Sequence, residues 1–72
     1  MQAYSDVAEQ AYDLIGLFLA ASSLLHDARL FVELAQLFER RGWSSMAKET
    51  LQRAAGRLVY ATLLIDAAAD LN

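Results

Sequence analysis

Two stretches of the chain are apolar around the whole circumference of a helix. They span residues 14–21 and 58–65, and neither contains a charged side chain. A helix without a polar face has to be covered on every side. A chain of 72 residues has too little material to cover both stretches. The pattern therefore predicts that the chain completes its fold by burying surface against another chain.

The rest of the pattern predicts an all-α protein. Good helix formers dominate, proline is absent, and no segment shows the strict alternation of a half-buried strand. The strongest break is at Gly42, which follows two arginines and supplies a left-handed helix cap. Ser44 or Ser45 is expected to cap the next helix, with Trp43 packing across its start.

These signals predict an antiparallel helical hairpin that forms a single domain. The two long helices are expected at about residues 5–41 and 45–70, with the turn at 42–44. Residues 22–27 contain two pairs that weaken a helix without ending it, so the first helix could be bent there or divided into two. A two-helix hairpin is the simplest architecture, and three helices are the alternative.

The predicted interface lies in the half of the hairpin away from the turn. With the turn near 42–43, residues that face each other have numbers summing to about 85, which places both apolar stretches in that half. Two hairpins pairing there would form a four-helix bundle dimer. The predicted interface residues are Leu14, Ile15, Leu17, Phe18, Tyr60, Leu63, Leu64 and Ile65.

Large and small side chains follow a regular spacing around the turn. They are Ala28, Phe31, Leu34, Ala35, Phe38, Ala47, Leu51 and Ala54, with Gly42 between the helices. Over roughly residues 28–58 this spacing resembles a single tetratricopeptide repeat. Ala35 and Val59 stand where that family often has glycine and proline. The resemblance implies a protein-binding scaffold without catalytic chemistry.

The charges are unevenly distributed along the chain. The formal net charge is −3, yet five of the six basic residues lie within residues 40–57. They are Arg40, Arg41, Lys48, Arg53 and Arg57. Arg40, Arg41, Arg53 and Arg57 are candidate contacts to a charged partner. A nucleic-acid-associated regulator is the alternative function, although the acidic balance favours a protein partner.

No group of residues has the arrangement that catalysis requires. Ser22 and Ser23 share a helix face with His26, but Asp27 points about 100° away and cannot orient the imidazole. Two carboxylate pairs are predicted to meet at the open end of the hairpin: Glu9 with Asp13, and Asp66 with Asp70. A di-metal site would need two histidines beside them, and the chain has one. Cysteine is absent. The sequence predicts no enzyme, cofactor or metal.

The expected function is non-enzymatic protein–protein interaction, as an adaptor, a chaperone-like protein or an inhibitory binder. The partner is the chain itself, as a homodimer, or another protein. The size and acidity also fit a small inhibitor of the kind that phages encode against a host enzyme. No basic residue precedes Leu14, and the apolar run 14–25 is shorter than the ~20 residues of a membrane span. A cytoplasmic protein without a membrane segment is therefore expected.

Overall fold

The chain is a hairpin of two long α-helices. A computed structural model describes the backbone of residues 2–71 and the side chains of residues 6–71. Helix α1 spans Gln2–Arg40 and helix α2 spans Ser44–Leu71, and the two pack against each other. Residues 2–71 contain no strand, so the predicted all-α hairpin is confirmed. Helix α1 continues without interruption through residues 22–27, so this region belongs to one helix and not to two.

The turn is built from backbone hydrogen bonds around Gly42. The amide of Trp43 donates to the carbonyl of Phe38 at 2.8 Å, and the amide of Gly42 donates to that of Glu39 at 3.0 Å. This pair of hydrogen bonds requires the residue just after the helix to adopt the left-handed backbone conformation. Gly42 does so, with a φ of 77°. The rings of Phe38 and Trp43 pack at 5.8 Å between centroids, which closes the motif with an apolar contact.

The start of α2 differs from the prediction at the serines. The carbonyl of Trp43 accepts the first helical hydrogen bond, from the amide of Ala47 at 3.0 Å. Ser44 is therefore already inside the helix, and the capping position belongs to Trp43. Neither Ser44 nor Ser45 donates or accepts a side-chain hydrogen bond among the described residues.

Alanines seven residues apart are buried between the two helices, and we call this line of residues the alanine seam. Its members are only 1–3% exposed: Ala21, Ala28 and Ala35 in α1, and Ala47, Ala54, Ala61 and Ala68 in α2. A seven-residue repeat is the period of a coiled coil, in which each residue keeps facing the partner helix. The small side chains let the two backbones approach closely.

Larger side chains flank the seam and fix the register of the helices. The side-chain amide of Gln10 donates to the carbonyl of Leu71. The guanidinium carbon of Arg57 lies 5.4 Å from the centroid of the Phe31 ring, within the range of a cation–π contact. Both contacts fall within about one helical turn of the predicted antiparallel register.

The hairpin is elongated and has little interior. Its principal extents are 62 × 14 × 11 Å, and its radius of gyration is 17.2 Å. A compact chain of this length would have a radius of gyration of about 11 Å. Among residues 6–71, the buried ones are the seven seam alanines and Thr50, whose hydroxyl donates to the carbonyl of Met46 at 2.7 Å. Residues 6–71 therefore form no core of large apolar side chains.

Candidate protein-binding face

The alanine seam divides the surface of the hairpin into two broad faces. A residue four positions after a seam alanine lies on one flank of its helix, and a residue one position before lies on the other flank. Because the helices are antiparallel, the same flank of each helix contributes to the same face of the hairpin. Two open grooves agree with this geometry: one is lined by Val32, Glu39 and Leu51, the other by Asp13 and Ala67.

On one of these faces, the positions that directly flank the seam are all apolar over its central part, and we call it the apolar face. Each member lies four positions after a seam position, and we count Leu14 as a seam position because it stands seven residues before Ala21. The six members are Phe18, Leu25 and Val32 from α1, and Leu51, Leu58 and Ile65 from α2. Val32 is half-buried, and the other five are exposed. In α1 the same series continues to Ala11 towards the open end and to Glu39 towards the turn.

The apolar face is organised in three layers. The groove near the turn brings Val32 and Leu51 to the same level, beside Ala35 and Ala47 of the seam. Moving seven residues away from the turn in each helix places Leu25 level with Leu58. A further seven residues place Phe18 level with Ile65. Seven residues rise about 10.5 Å along a helix, so the three layers extend over about 21 Å.

The opposite face, which we call the mixed face, combines charged and apolar side chains. Its positions, one residue before a seam position, include Asp13, Asp27, Leu34, Arg53 and Tyr60. Asp27 is half-buried and the other four are exposed. Both faces therefore display large apolar groups. Among the described residues, the positions that directly flank the seam are all apolar over the central part of the apolar face and are interrupted by charges on the mixed face.

The eight predicted interface residues are distributed over three parts of the surface. Leu14, Leu17 and Leu64 are half-buried between the helices. The remaining five are exposed and fall on opposite flanks: Ile15, Phe18 and Ile65 on the side of the apolar face, and Tyr60 and Leu63 on the side of the mixed face. Only Phe18 and Ile65 belong to the apolar face itself. The assignment of the interface to the distal half stays a prediction.

The signal that identifies the apolar face is the period of the alanines. The seven-residue spacing from Ala47 to Ala68 is visible in the sequence, and so is the shorter series from Ala21 to Ala35. Alanine is only weakly hydrophobic, so a search for strongly apolar stretches does not detect the seam. Once the seam is known, Leu25, Val32, Leu51 and Leu58 follow by counting four residues onward.

The predicted basic cluster is partly engaged within the chain. The guanidinium of Arg53 lies 3.3 Å from the carboxylate of Glu49, one helical turn earlier. Arg57 is half-buried against Phe31. Arg40, Arg41 and Lys48 are exposed near the turn. Contacts of this cluster to a charged partner or to nucleic acid stay a prediction.

The residues considered for catalysis and metal binding do not converge. Ser22, Ser23 and His26 are exposed on α1, and none of the side-chain hydrogen bonds of residues 6–71 involves them. The four carboxylates Glu9, Asp13, Asp66 and Asp70 are also exposed. Within the part of the chain that the structure describes, no group of three or more His, Asp or Glu side chains could hold a metal ion.

Helix α1 is also long and apolar enough to cross a membrane, by length and composition alone. An 18-residue window within Asp6–Arg40 reaches a mean hydropathy of 1.4, and 11% of that window is buried. The window is longer than the apolar run 14–25. Four alanines of α2 pack against this helix, and the exposed side of α1 includes Arg29 and Glu33, which pair at 3.4 Å.

No protein-family model, curated protein or solved structure matches this chain.

Proposed function

We propose that this chain is a small non-enzymatic protein–protein interaction module. It works by burying the apolar face against another helical chain, so that the hairpin becomes one half of a four-helix bundle. An adaptor, a chaperone-like protein and an inhibitory binder would all use the same face. The partner is a second copy of the chain or a different protein.

The observation that carries this proposal is the missing core. A compact protein of this mass, 8.0 kDa, exposes about 4,450 Å² to solvent. The hairpin exposes 5594 Å², an excess of about 1,100 Å² over that scaling. Each partner in a standard protein–protein interface loses about 800 Å². The excess is thus large enough to supply one side of a stable interface.

The shape of the apolar face supports a helical partner. It is a strip two helices wide, with side chains in layers about 10.5 Å apart. A second pair of helices, packed at the usual 8–10 Å between axes, would interdigitate with those layers as in a four-helix bundle. The resemblance to a tetratricopeptide repeat stays a prediction, and it points to the same class of function.

Site-specific photo-crosslinking in the cells that make the protein tests this proposal. A photoreactive phenylalanine analogue would replace Leu58 on the apolar face, and in a matched variant it would replace Tyr60 on the mixed face. The two positions are two residues apart on α2, and both side chains are exposed in the single chain. We expect covalent protein adducts from position 58 and at least tenfold fewer from position 60.

Two results would count against the proposal. One is the absence of any protein adduct at position 58, because a covered face has to place a partner within reach of the probe. The other is equal adduct formation at the two positions, which would indicate non-specific contact of apolar side chains rather than a defined interface.

A further inference from the structure

We infer that the partner of the apolar face is a second copy of this chain, bound head to tail. The turn of one hairpin would lie beside the open end of the other, and the two-fold axis would cross the layer formed by Leu25 and Leu58. This inference rests on the proposed function and specifies its partner.

The apolar face matches itself under that rotation. Its three layers are centred on Leu25 and Leu58, with one layer on each side. A two-fold axis through the centre places the middle layer against its own copy, because an interface of this symmetry uses the same patch twice. The layer of Phe18 and Ile65 then packs on the layer of Val32 and Leu51. At both ends of the interface, the bulkier layer of Phe18 and Ile65 therefore packs on the smaller layer of Val32 and Leu51.

The charges of the two halves of the hairpin are complementary. The turn half, residues 28–57, contains all six Lys and Arg residues and three Asp and Glu residues, a balance of +3. The open half, residues 1–27 and 58–72, contains six Asp residues or Glu residues and no Lys or Arg, a balance of −6. Head-to-tail pairing sets each −6 half beside a +3 half.

The alternative dimer, with turn beside turn, would bring like charges together at both ends. Opposite charges across an interface guide the orientation in which two proteins associate, and like charges beside one another are unfavourable. The apolar face supplies most of the buried area in either orientation. The charge distribution is what selects between them.

The two orientations also differ in which helices touch. In the head-to-tail dimer, α1 packs on α1 of the second copy and α2 packs on α2. In the turn-to-turn dimer, α1 packs on α2 of the second copy. The end of α1 near Arg41 therefore lies beside Ala8 of the second copy only in the head-to-tail dimer, because the two residues lie 16 and 17 positions from Leu25 in opposite directions.

Distances between single nitroxide labels, measured by pulsed electron resonance, test the inference. The chain has no cysteine, so Ala8→Cys and Arg41→Cys each provide one labelling site, and both positions are exposed. Arg41 lies 16 residues from Leu25, about 24 Å along the helix. The labelled Arg41→Cys protein alone should therefore give an intermolecular distance of about 50 Å. An equal mixture of the two labelled variants should add a distance under about 25 Å, since the facing helices lie about 10 Å apart.

Each outcome decides the point. A short distance in the Arg41→Cys protein alone would overturn the head-to-tail orientation in favour of turn-to-turn pairing. A purified wild-type chain with a mass of 8.0 kDa by sedimentation equilibrium, together with the absence of any intermolecular distance, would overturn the second copy as partner. The proposed function would survive that result if the probe at position 58 still joined the chain to a different protein in cells.

Discussion

The two faces of the hairpin share one seam and differ in what flanks it. Phe18 on the apolar face and Tyr60 on the mixed face are 54% and 58% exposed in the single chain. By exposure alone, these aromatic residues would be assigned the same role. Their neighbours differ, because Phe18 belongs to a patch of six apolar side chains while Tyr60 shares its face with Asp13, Asp27 and Arg53.

This difference shows that continuity, rather than exposure, distinguishes a candidate interface here. Single exposed apolar residues are normal on protein surfaces, whereas a contiguous patch indicates a binding site. The seam creates that continuity, because its seven-residue period keeps the same flank of each helix on one face along the length of the hairpin. We therefore expect the two faces to differ in the same way in solution.

A charge introduced on the apolar face should have the largest effect. We expect Leu58→Asp to weaken dimer formation at least 100-fold, because the interface would then have to bury an unpaired carboxylate. In the proposed head-to-tail dimer, the two-fold axis would also place the new carboxylate beside its own copy. Sedimentation equilibrium over a range of protein concentrations measures the change in the dissociation constant.

The matched control is Tyr60→Asp, which places the same charge two residues away on the mixed face. We expect it to change the dissociation constant less than about threefold, as a substitution outside the buried part of an interface does. Equal weakening by the two variants would remove the distinction between the faces.

A larger side chain in the seam should disturb both faces together. Ala28 is 2% exposed, so Ala28→Leu has to force the helices apart, and we expect it to lower the free energy of unfolding by about 1–3 kcal/mol. Urea unfolding followed by circular dichroism measures this loss. The control Ala20→Leu alters an exposed position one residue before the seam, and its effect should stay within about 0.5 kcal/mol. Similar losses in both variants would show that the alanines do not set the distance between the helices.

Two glycine substitutions should act in opposite directions. Gly42→Ala places a side chain at a φ of 77°, and we expect a loss of about 1 kcal/mol. Gly56→Ala replaces an exposed glycine within α2, where the new Cβ meets no atom within 4 Å. This variant should gain about 0.5–1 kcal/mol, because alanine favours the helix. Thermal unfolding of both variants measures the sign of each change in stability. A loss at position 56 would indicate that something packs on the mixed side of α2.

The sequence was sufficient to predict the hairpin and its turn. Helix-forming composition predicts the two helices, and Gly42 after two arginines predicts the end of the first, because few other signals could interrupt a chain without proline. The capping of α2 was harder to predict. Ser44 and Ser45 are both good capping residues, and only the bond from the amide of Ala47 to the carbonyl of Trp43 shows where the helix begins.

The arrangement of the apolar side chains could be predicted only in part. An all-round apolar stretch does not reveal which of its sides meets the other helix, so Leu64 and Leu63 look equivalent in sequence. In the structure Leu64 is half-buried between the helices, and Leu63 is exposed. The seam that distinguishes the two leucines consists of alanine, the least hydrophobic of the apolar residues. It can be recognised in the sequence by its seven-residue spacing and not by strong hydrophobicity.

Hydroxyl-radical footprinting of the wild-type chain, at a concentration where it is fully assembled, tests the central claim most directly. The modification rates of Phe18 and Tyr60 would each be divided by the rate in the denatured chain, which removes the difference in intrinsic reactivity. We predict that Phe18 is protected at least tenfold more than Tyr60, because the proposed assembly would cover the apolar face and leave the mixed face in water. Equal protection of the two rings would contradict the claim that the apolar face is where this protein binds.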